Sequence, residues 1–294
     1  MSNIKLKALR LVSKFLMKTT GNFLKRKQFS GLTYRVADFL VKNTLSDDKI
    51  FEIQGFKMKG GKTTRLPILM GDVEPSTTEL IKREVKTGMI AFDLGANIGW
   101  FTLWLSKLVG EVGHVFSFEP NPDVFEVLKE NVKLNKLSNV SVFCLAVSNK
   151  SGIAKYSLNP KQEAANRLES STMTENTIDV ETITLDEFCE KHNLKFDFIK
   201  MDIEGSEPKA FEGMKKSVSS NPKIKIVMEF LPSAINDVGS SPEDFINSLE
   251  QSGFIIKEID EDKLGKLKSI KKDELLKIKN KRPNLYCYRT LKKL

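Results

Sequence analysis

The chain has 294 residues, of which 40% are hydrophobic and 29% charged, the balance of a soluble globular protein large enough to bury its own core. Its three cysteines, Cys144, Cys189 and Cys287, lie far apart in apolar runs without C-x-x-C or Cys/His spacing, so neither a disulfide framework nor a zinc site is expected. No apolar run reaches the ~18 residues of a membrane-spanning helix, and lysines interrupt the N-terminal apolar positions before a signal-peptide core can form.

The formal charge of +9 is unevenly placed. Residues Met1 to Ala37 hold nine basic side chains (Lys5, Lys7, Arg10, Lys14, Lys18, Lys25, Arg26, Lys27 and Arg35) and no acid. Beyond Ala37, 38 basic residues face 38 acidic ones. The first zone, residues 1–42, therefore reads as a basic arm. Ile4, Ala8, Leu11, Phe15 and Thr19 fall on one helical face, with Lys7, Lys14 and Lys18 largely off it. Two readings stand for it: a helix docked on the catalytic core as a cap, or peripheral membrane contact through residues 1–28 of a cytoplasmic protein. Nucleic acid is not an expected partner, because no stacking aromatics interleave with the charges.

The second zone, residues 43–88, reads as a β-hairpin followed by a helix. Ile50 to Ile53 and Phe56 to Lys59 alternate, Gly60-Gly61 offers a turn, and Arg65 to Leu69 a return. The helix is expected from Ser76 to Lys86, with Ser76 as N-cap and Glu79 completing a capping box.

The third zone, residues 89–294, alternates strands and helices. Strands are expected at Met89–Asp93, His114–Phe118, Val140–Val147, Phe196–Met201, Ile224–Met228, Phe254–Ile259 and Leu285–Arg289. Helices are expected at Asn97–Val109, Asp123–Asn135, Leu185–His192, Glu207–Lys216 and Pro242–Gln251, with an irregular stretch after Val147. This order predicts an α/β Rossmann-like fold: a mainly parallel sheet with helices on both faces and ligands at the carboxyl ends of its strands.

Four motifs stand at those ends. Asp93-Leu94-Gly95-Ala96-Asn97-Ile98-Gly99 follows a strand and opens a helix. It is one glycine short of the dinucleotide fingerprint, and Asp93 would repel a pyrophosphate while suiting a ligand with an ammonium and a sulfonium. Phe118-Glu119-Pro120-Asn121-Pro122 puts Glu119 where a carboxylate accepts from both ribose hydroxyls. Small residues near Ala146 and Val147 end the next strand and offer backbone contacts to an adenine edge.

The last motif, Lys200-Met201-Asp202-Ile203-Glu204-Gly205-Ser206-Glu207, places Asp202 and Glu204 at the cleft mouth, and Glu229 ends the following strand. Methyl transfer from a sulfonium needs alignment of the reacting atoms and, for a hydroxyl acceptor, a proton acceptor. Asp202, Glu204 and Glu229 are the candidates; Asp202 also suits the donor's ammonium group. The acidic pair could hold a divalent cation, but nothing in the sequence calls for one. His114 and His192 have no Ser or Cys partner in a nucleophile motif, so a hydrolase triad has no support.

Taken in order, these motifs, with Asn131-Val132-Lys133-Leu134-Asn135, Leu145-Ala146-Val147-Ser148 and Thr184-Leu185-Asp186, resemble the FkbM-type methyltransferases between Met89 and Phe230. The resemblance implies a class I methyltransferase fold with seven strands, the last antiparallel at Leu285–Arg289. It also implies S-adenosyl-L-methionine as donor and O-methylation of a hydroxyl on a sugar, glycolipid or secondary metabolite. On this reading the donor contacts are Asp93, Gly95, Ala96, Asn97, Gly99, Trp100, Phe101, Glu119, Pro120, Asn121, Ala146, Val147 and Asp202. Trp100 stands where the family carries a smaller aromatic, and the basic arm lies outside the family pattern. An Asn/Asp-Pro-Pro-Tyr motif for amino nitrogens and a Pro-Cys nucleophile are absent. The rival readings are an NAD-dependent oxidoreductase, which the glycine spacing disfavours, and a non-catalytic membrane- or partner-binding module that keeps the fold.

Overall fold

The computed structural model describes residues 50–59, 68, 71, 73–158, 167–168, 176–278 and 281–290. The basic arm, Gly60-Gly61 and most of the expected return strand lie outside the described residues. The chain divides between Val73 and Glu74 into two units. In the first, β1 (Ile50–Ile53) and β2 (Phe56–Lys59) form an antiparallel hairpin whose turn is Gln54-Gly55, both with positive φ. Phe51, Ile53, Phe56 and Met58 are buried, in keeping with period-two alternation.

The second unit carries the α/β fold. Its elements are α1 (Pro75–Glu84), β3 (Ile90–Leu94), α2 (Trp100–Val109), β4 (His114–Phe118), α3 (Pro122–Leu134), β5 (Val140–Phe143), β6 (Ala146–Val147), β7 (Gly152–Ser157), β8 (Arg167–Leu168) and β9 (Thr177–Ile183). They continue with α4 (Leu185–His192), β10 (Phe198–Met201), α5 (Glu207–Glu212), α6 (Lys215–Ser220), β11 (Lys225–Glu229), α7 (Pro232–Asp237), α8 (Pro242–Gln251), β12 (Ile255–Ile259), β13 (Leu267–Lys268), α9 (Lys272–Leu276) and β14 (Asn284–Tyr288).

The main sheet runs β13-β12-β14-β11-β10-β3-β4-β5. Strands β5, β4, β3, β10 and β11 are mutually parallel, and β14 inserts antiparallel between β11 and β12. The expected antiparallel last strand is thus present, but among the described residues the sheet has eight strands, because the two-residue β13 adds an edge to β12. The chain moves one way along the sheet through β3, β4 and β5 and the other way through β10 and β11. Right-handed crossovers put their helices on opposite faces, and the reversal opens a crevice at the carboxyl ends of β3 and β10.

Several boundaries differ from expectation. The helix α1 begins at Pro75, because proline at the first helical position fits its fixed φ. Ser76 therefore lies inside the helix and its hydroxyl donates to the Asp260 carbonyl rather than capping. The expected strand Val140–Val147 breaks at Cys144-Leu145, and Ala146-Val147 leaves the main sheet to pair with Thr182-Ile183 of β9. The stretch read as irregular holds a second sheet, ordered β6-β9-β7-β8, closed over Ala146, Tyr156, Leu168 and Val180. The helix expected at Glu207–Lys216 divides at Gly213, where an added Cβ would lie 2.1 Å from the Ser148 carbonyl oxygen.

The main core packs Phe92, Phe118, Phe188, Phe196, Phe211 and Phe230 with aliphatic residues of β10, β11 and β14. Phe92 stacks on Phe196 and meets Phe188 edge-on, which fixes α4 over the sheet centre. The two histidines make local contacts. His114 exchanges a hydrogen bond with Ser141, and His192 packs on Phe188.

Asn131 of α3 is fully buried, and its amide donates to the Ile98 carbonyl at 2.8 Å, tying α3 to the turn after β3. Replacing it with alanine leaves a buried carbonyl without that donor, so Asn131→Ala should lower unfolding stability by about 1–3 kcal/mol. Urea denaturation checks this; an unchanged midpoint would mean that the tie contributes nothing.

Candidate active site

The turn after β3 is built by backbone geometry. Gly95, Asn97 and Gly99 all have positive φ, of 76°, 50° and 95°. The amides of Gly95 and Ala96 both donate to the Phe118 carbonyl at 3.0 Å, which folds the turn back onto the end of β4. A Cβ on Gly95 would lie 2.0 Å from the Asp202 carbonyl oxygen, and one on Gly99 2.7 Å from Leu128. At Gly95 both the sign of φ and the backbone contact exclude a side chain, while at Gly99 it is the positive φ that favours glycine. At Gly95 the requirement presses the β3 turn against the end of β10.

Asp93 is 2% exposed. It accepts from the Thr102 hydroxyl of α2 at 2.6 Å, and Thr102 also bonds Ser117. Its side chain is thus engaged by the first turns of α2, and burial pushes its carboxyl up to about 6. Glu119, 6% exposed, sits at the end of β4. Its two oxygens accept from the backbone amides of Asn121 at 3.0 Å and Asn97 at 2.9 Å, so one carboxylate ties the glycine turn to the start of α3. Asn121 caps α3 by accepting from the Asp123 amide, and Pro120 separates the two acidic and amide side chains. Burial pushes the Glu119 carboxyl up to about 7. Trp100 and Phe101 open α2 and are buried; the Trp100 indole N–H has no partner among the described residues.

The ends of β10 and β11 form the second half of the site. Asp202, Glu204 and Glu229 each offer an oxygen, all within 4.8 Å of one another. Two cations that the sequence reading did not single out serve this cluster. Lys200 is 1% exposed, with its ammonium 3.4 Å from Asp202 and 4.8 Å from the centre of the Phe101 ring. It faces Asp93 across the sheet register. Burial opposes its charge, but Asp202, Glu74, Asp93 and Glu229 outweigh that and hold its pKa above the ordinary lysine value. Arg282, just before β14, donates through Nη1 to both Glu204 oxygens at 3.1 and 2.9 Å and to Glu229 at 3.2 Å.

Glu204 has φ 53° and Gly205 φ 100°, and a Cβ on Gly205 would lie 2.4 Å from the Ala234 carbonyl oxygen of α7. This tight bend swings Glu204 back toward Arg282. Glu207 accepts from the Ile203 amide at 3.0 Å, and burial pushes its carboxyl up to about 8. Burial, with Asp202 and Glu204 nearby, pushes Glu229 far above the ordinary carboxylate range. Glu74, at the start of α1, accepts from the Asn284 amide at 2.9 Å and is also raised by burial.

The strand ends thus bring together Asp93, Gly95, Ala96, Asn97, Gly99, Trp100, Phe101, Glu119, Pro120 and Asn121 on one side and Asp202, Glu204 and Glu229 on the other. Ala146 and Val147 are not at the end of a main-sheet strand; both are buried in β6. A separate cavity between α5 and α8, lined by Pro208, Phe211, Lys215, Ser241 and Phe245, includes none of these carboxylates.

A mainly parallel sheet with the antiparallel strands β14 and β13 toward one edge, a glycine turn after β3 and an acid at the end of its neighbour β4 define a Rossmann-like methyltransferase domain. The chain belongs to the FkbM methyltransferase domain family, which matches residues 93–256. It is 30% identical over 148 residues to the hexuronic acid methyltransferase AglP of Haloferax volcanii, an alignment covering 50% of this chain and 59% of that protein. Among solved structures it is similar to a SAM-dependent methyltransferase from Aquifex aeolicus (20% identity, 73% of this chain and 90% of that one, TM-score 0.40). It is also similar to an O-methyltransferase from Bacillus cereus in complex with SAH (16% identity, 74% and 81%, TM-score 0.43). No helix among the described residues is long and apolar enough to cross a membrane.

The raised carboxyls set a pH dependence. A carboxyl whose folded pKa stands above its unfolded value binds its proton more tightly when folded, so stability falls as pH rises between the two. For Glu119 that window runs from 4.5 to about 7, and for Glu207 from 4.5 to about 8. The urea midpoint of the donor-free protein should be lower at pH 8 than at pH 5.5. Glu119→Gln should reduce this slope, whatever it does to the midpoint itself. Equal midpoints at the two pH values would show that these groups ionise without cost.

Proposed function

We propose that this chain transfers a methyl group from S-adenosyl-L-methionine to a hydroxyl of a sugar or glycolipid. The observation that carries the reading is the joining, at Gly95 and Asp202, of an adenosyl-type turn to a cluster of carboxylates. The charge of the crevice fits the donor. Among the described residues Glu74, Asp93, Asp202, Glu204 and Glu229 gather around Lys200 and Arg282, an acidic lining that suits a ligand bearing an ammonium and a sulfonium. The same acidic lining suits the pyrophosphate of NAD poorly, which disfavours the oxidoreductase reading. A sugar acceptor is supported by the name of the Haloferax volcanii relative, of whose length the alignment spans 59%.

In this reading the turn Gly95 to Gly99 holds the methionine part of the donor, with the unpartnered Trp100 indole N–H as a donor to its carboxylate. Each Glu119 oxygen keeps a lone pair for a ribose hydroxyl beyond its bond to the backbone. Pro120 and Asn121 shape that rim. The donor supplies a methyl group on positively charged sulfur, so what the protein adds is alignment and a place for the acceptor's proton. Of the three clustered carboxylates, Asp202 suits the base role best. Glu204 is engaged by two bonds from Arg282, Glu229 favours its protonated form, and Asp202 lies beside Lys200. As the acceptor oxygen bonds to the methyl carbon and the carbon–sulfur bond breaks, Asp202 takes the hydroxyl proton. A divalent cation is not part of this reading. The basic arm remains a proposed membrane-surface or capping segment.

Calorimetry should show heat with S-adenosylhomocysteine and none with NADH. Glu119→Ala should weaken the first by at least about tenfold, or about 1.4 kcal/mol. Heat with NADH alone would overturn the reading, and silence with both would favour the non-catalytic module. With labelled donor and a panel of sugar acceptors, Asp202→Asn should cut turnover by about 10²–10⁴-fold while S-adenosylhomocysteine still binds. A matching loss of affinity would make Asp202 a donor contact instead of the base.

A further inference from the structure

We propose that Arg282 is the resident cation of the Asp202–Glu204–Glu229 cluster, a positioning residue that fills the place a divalent metal would otherwise take. The proposal rests on reading this cluster as the acceptor end of the crevice.

Three carboxylate oxygens within 4.8 Å of one another are spaced as they would be around a hard cation with oxygens at about 2.0–2.6 Å. Such a group repels itself unless positive charge lies inside it. Here the charge comes from the chain. One nitrogen, Nη1 of Arg282, bonds both oxygens of Glu204 and one of Glu229, at 2.9 to 3.2 Å. Among the described residues these are all the hydrogen bonds Arg282 makes. The third carboxylate, Asp202, is met from within the sheet by Lys200 at 3.4 Å.

The arginine is held in place by its neighbours. The Pro283 carbonyl accepts from the Phe230 amide at 2.9 Å, and Asn284 pairs with Glu229 in the β11–β14 ladder. The guanidinium is therefore delivered to the ends of β10 and β11 by strand pairing. A guanidinium cannot lose its proton at physiological pH, so the charge is permanent. It fixes Glu204 and Glu229 while leaving Asp202 to the acceptor.

The test is Mn²⁺ binding, followed by electron paramagnetic resonance, to the full-length wild type, Arg282→Ala and Arg282→Lys. Removing the guanidinium takes one positive charge out of the cluster, so R282A should bind Mn²⁺ at least about tenfold more tightly than wild type. R282K keeps a cation there and should stay within about threefold of wild type. Adding Glu204→Gln to R282A should abolish the gain. A wild type that binds Mn²⁺ as tightly as R282A would overturn the proposal, as would an R282A that gains nothing. Should R282A fail to fold, Arg282→Gln makes the same comparison. Heat with S-adenosylhomocysteine, measured on each protein, reports on the donor pocket separately. Its absence from wild type would sink the donor reading without touching the Mn²⁺ comparison.

Discussion

The structure turns on a buried lysine. Lys200 lies in the central strand β10, beside Asp93 of β3, with its ammonium almost wholly withdrawn from water. An ammonium left unpaired in such a place costs several kcal/mol, and so does each buried carboxylate without a counter-charge. The groups are tolerable only together. Asp93 lies in the strand that leads into the proposed donor turn and Asp202 lies at the proposed acceptor end, so one cation serves both halves of the crevice. Changing the charge at either half alters the environment of the other, which makes this row a coupled unit.

That coupling is also mechanical. The glycine turn that begins the proposed donor pocket cannot move away from the acidic motif, because Gly95 is packed onto the Asp202 carbonyl with no room for a single carbon. Gly205 repeats the arrangement on the other side, where the bend that presents Glu204 lies against α7. Glycines that look in sequence like clearance for a ligand are used in the fold to bring protein segments into contact. Both uses require the same residue, so the motif alone cannot tell them apart.

The strands of the main sheet were legible because burial on both faces writes them as continuous apolar runs such as Ile90-Ala91-Phe92 and Ile226-Val227-Met228. The site acids were legible because they follow those runs directly. The second sheet was missed although Thr177 to Ile183 alternates with period two, with Val180 buried and Asp179 and Glu181 exposed. Its partner strand β7 begins at a glycine and buries only Tyr156 and Ser157 at its far end, so neither looked like half of a pair. The ion pair of Lys155 and Asp179 across that ladder is visible only once the register is known. Lys200 was read as one letter of a motif, and Arg282 not at all. A lysine in an apolar run is a legible signal of a buried charge. An arginine far along the chain is not, since only the antiparallel return of β14 brings it to Glu229.

The charge cluster bears on whether the fold is kept for catalysis. Glu119, Glu207 and Glu229 all have carboxyls pushed upward by burial, so each makes the donor-free fold less stable as it ionises. A module that used this fold only to dock on a membrane or a partner would gain nothing from such groups at the strand ends, and apolar residues of similar size would serve it better. Strain and unfavourable charge concentrated at the carboxyl edge of the sheet, and sparse in the phenylalanine-rich core beneath it, are what a site built to hold a cationic ligand requires. The destabilising groups and the proposed pocket coincide, and that coincidence, more than any single motif, separates the enzymatic reading from the scaffold reading.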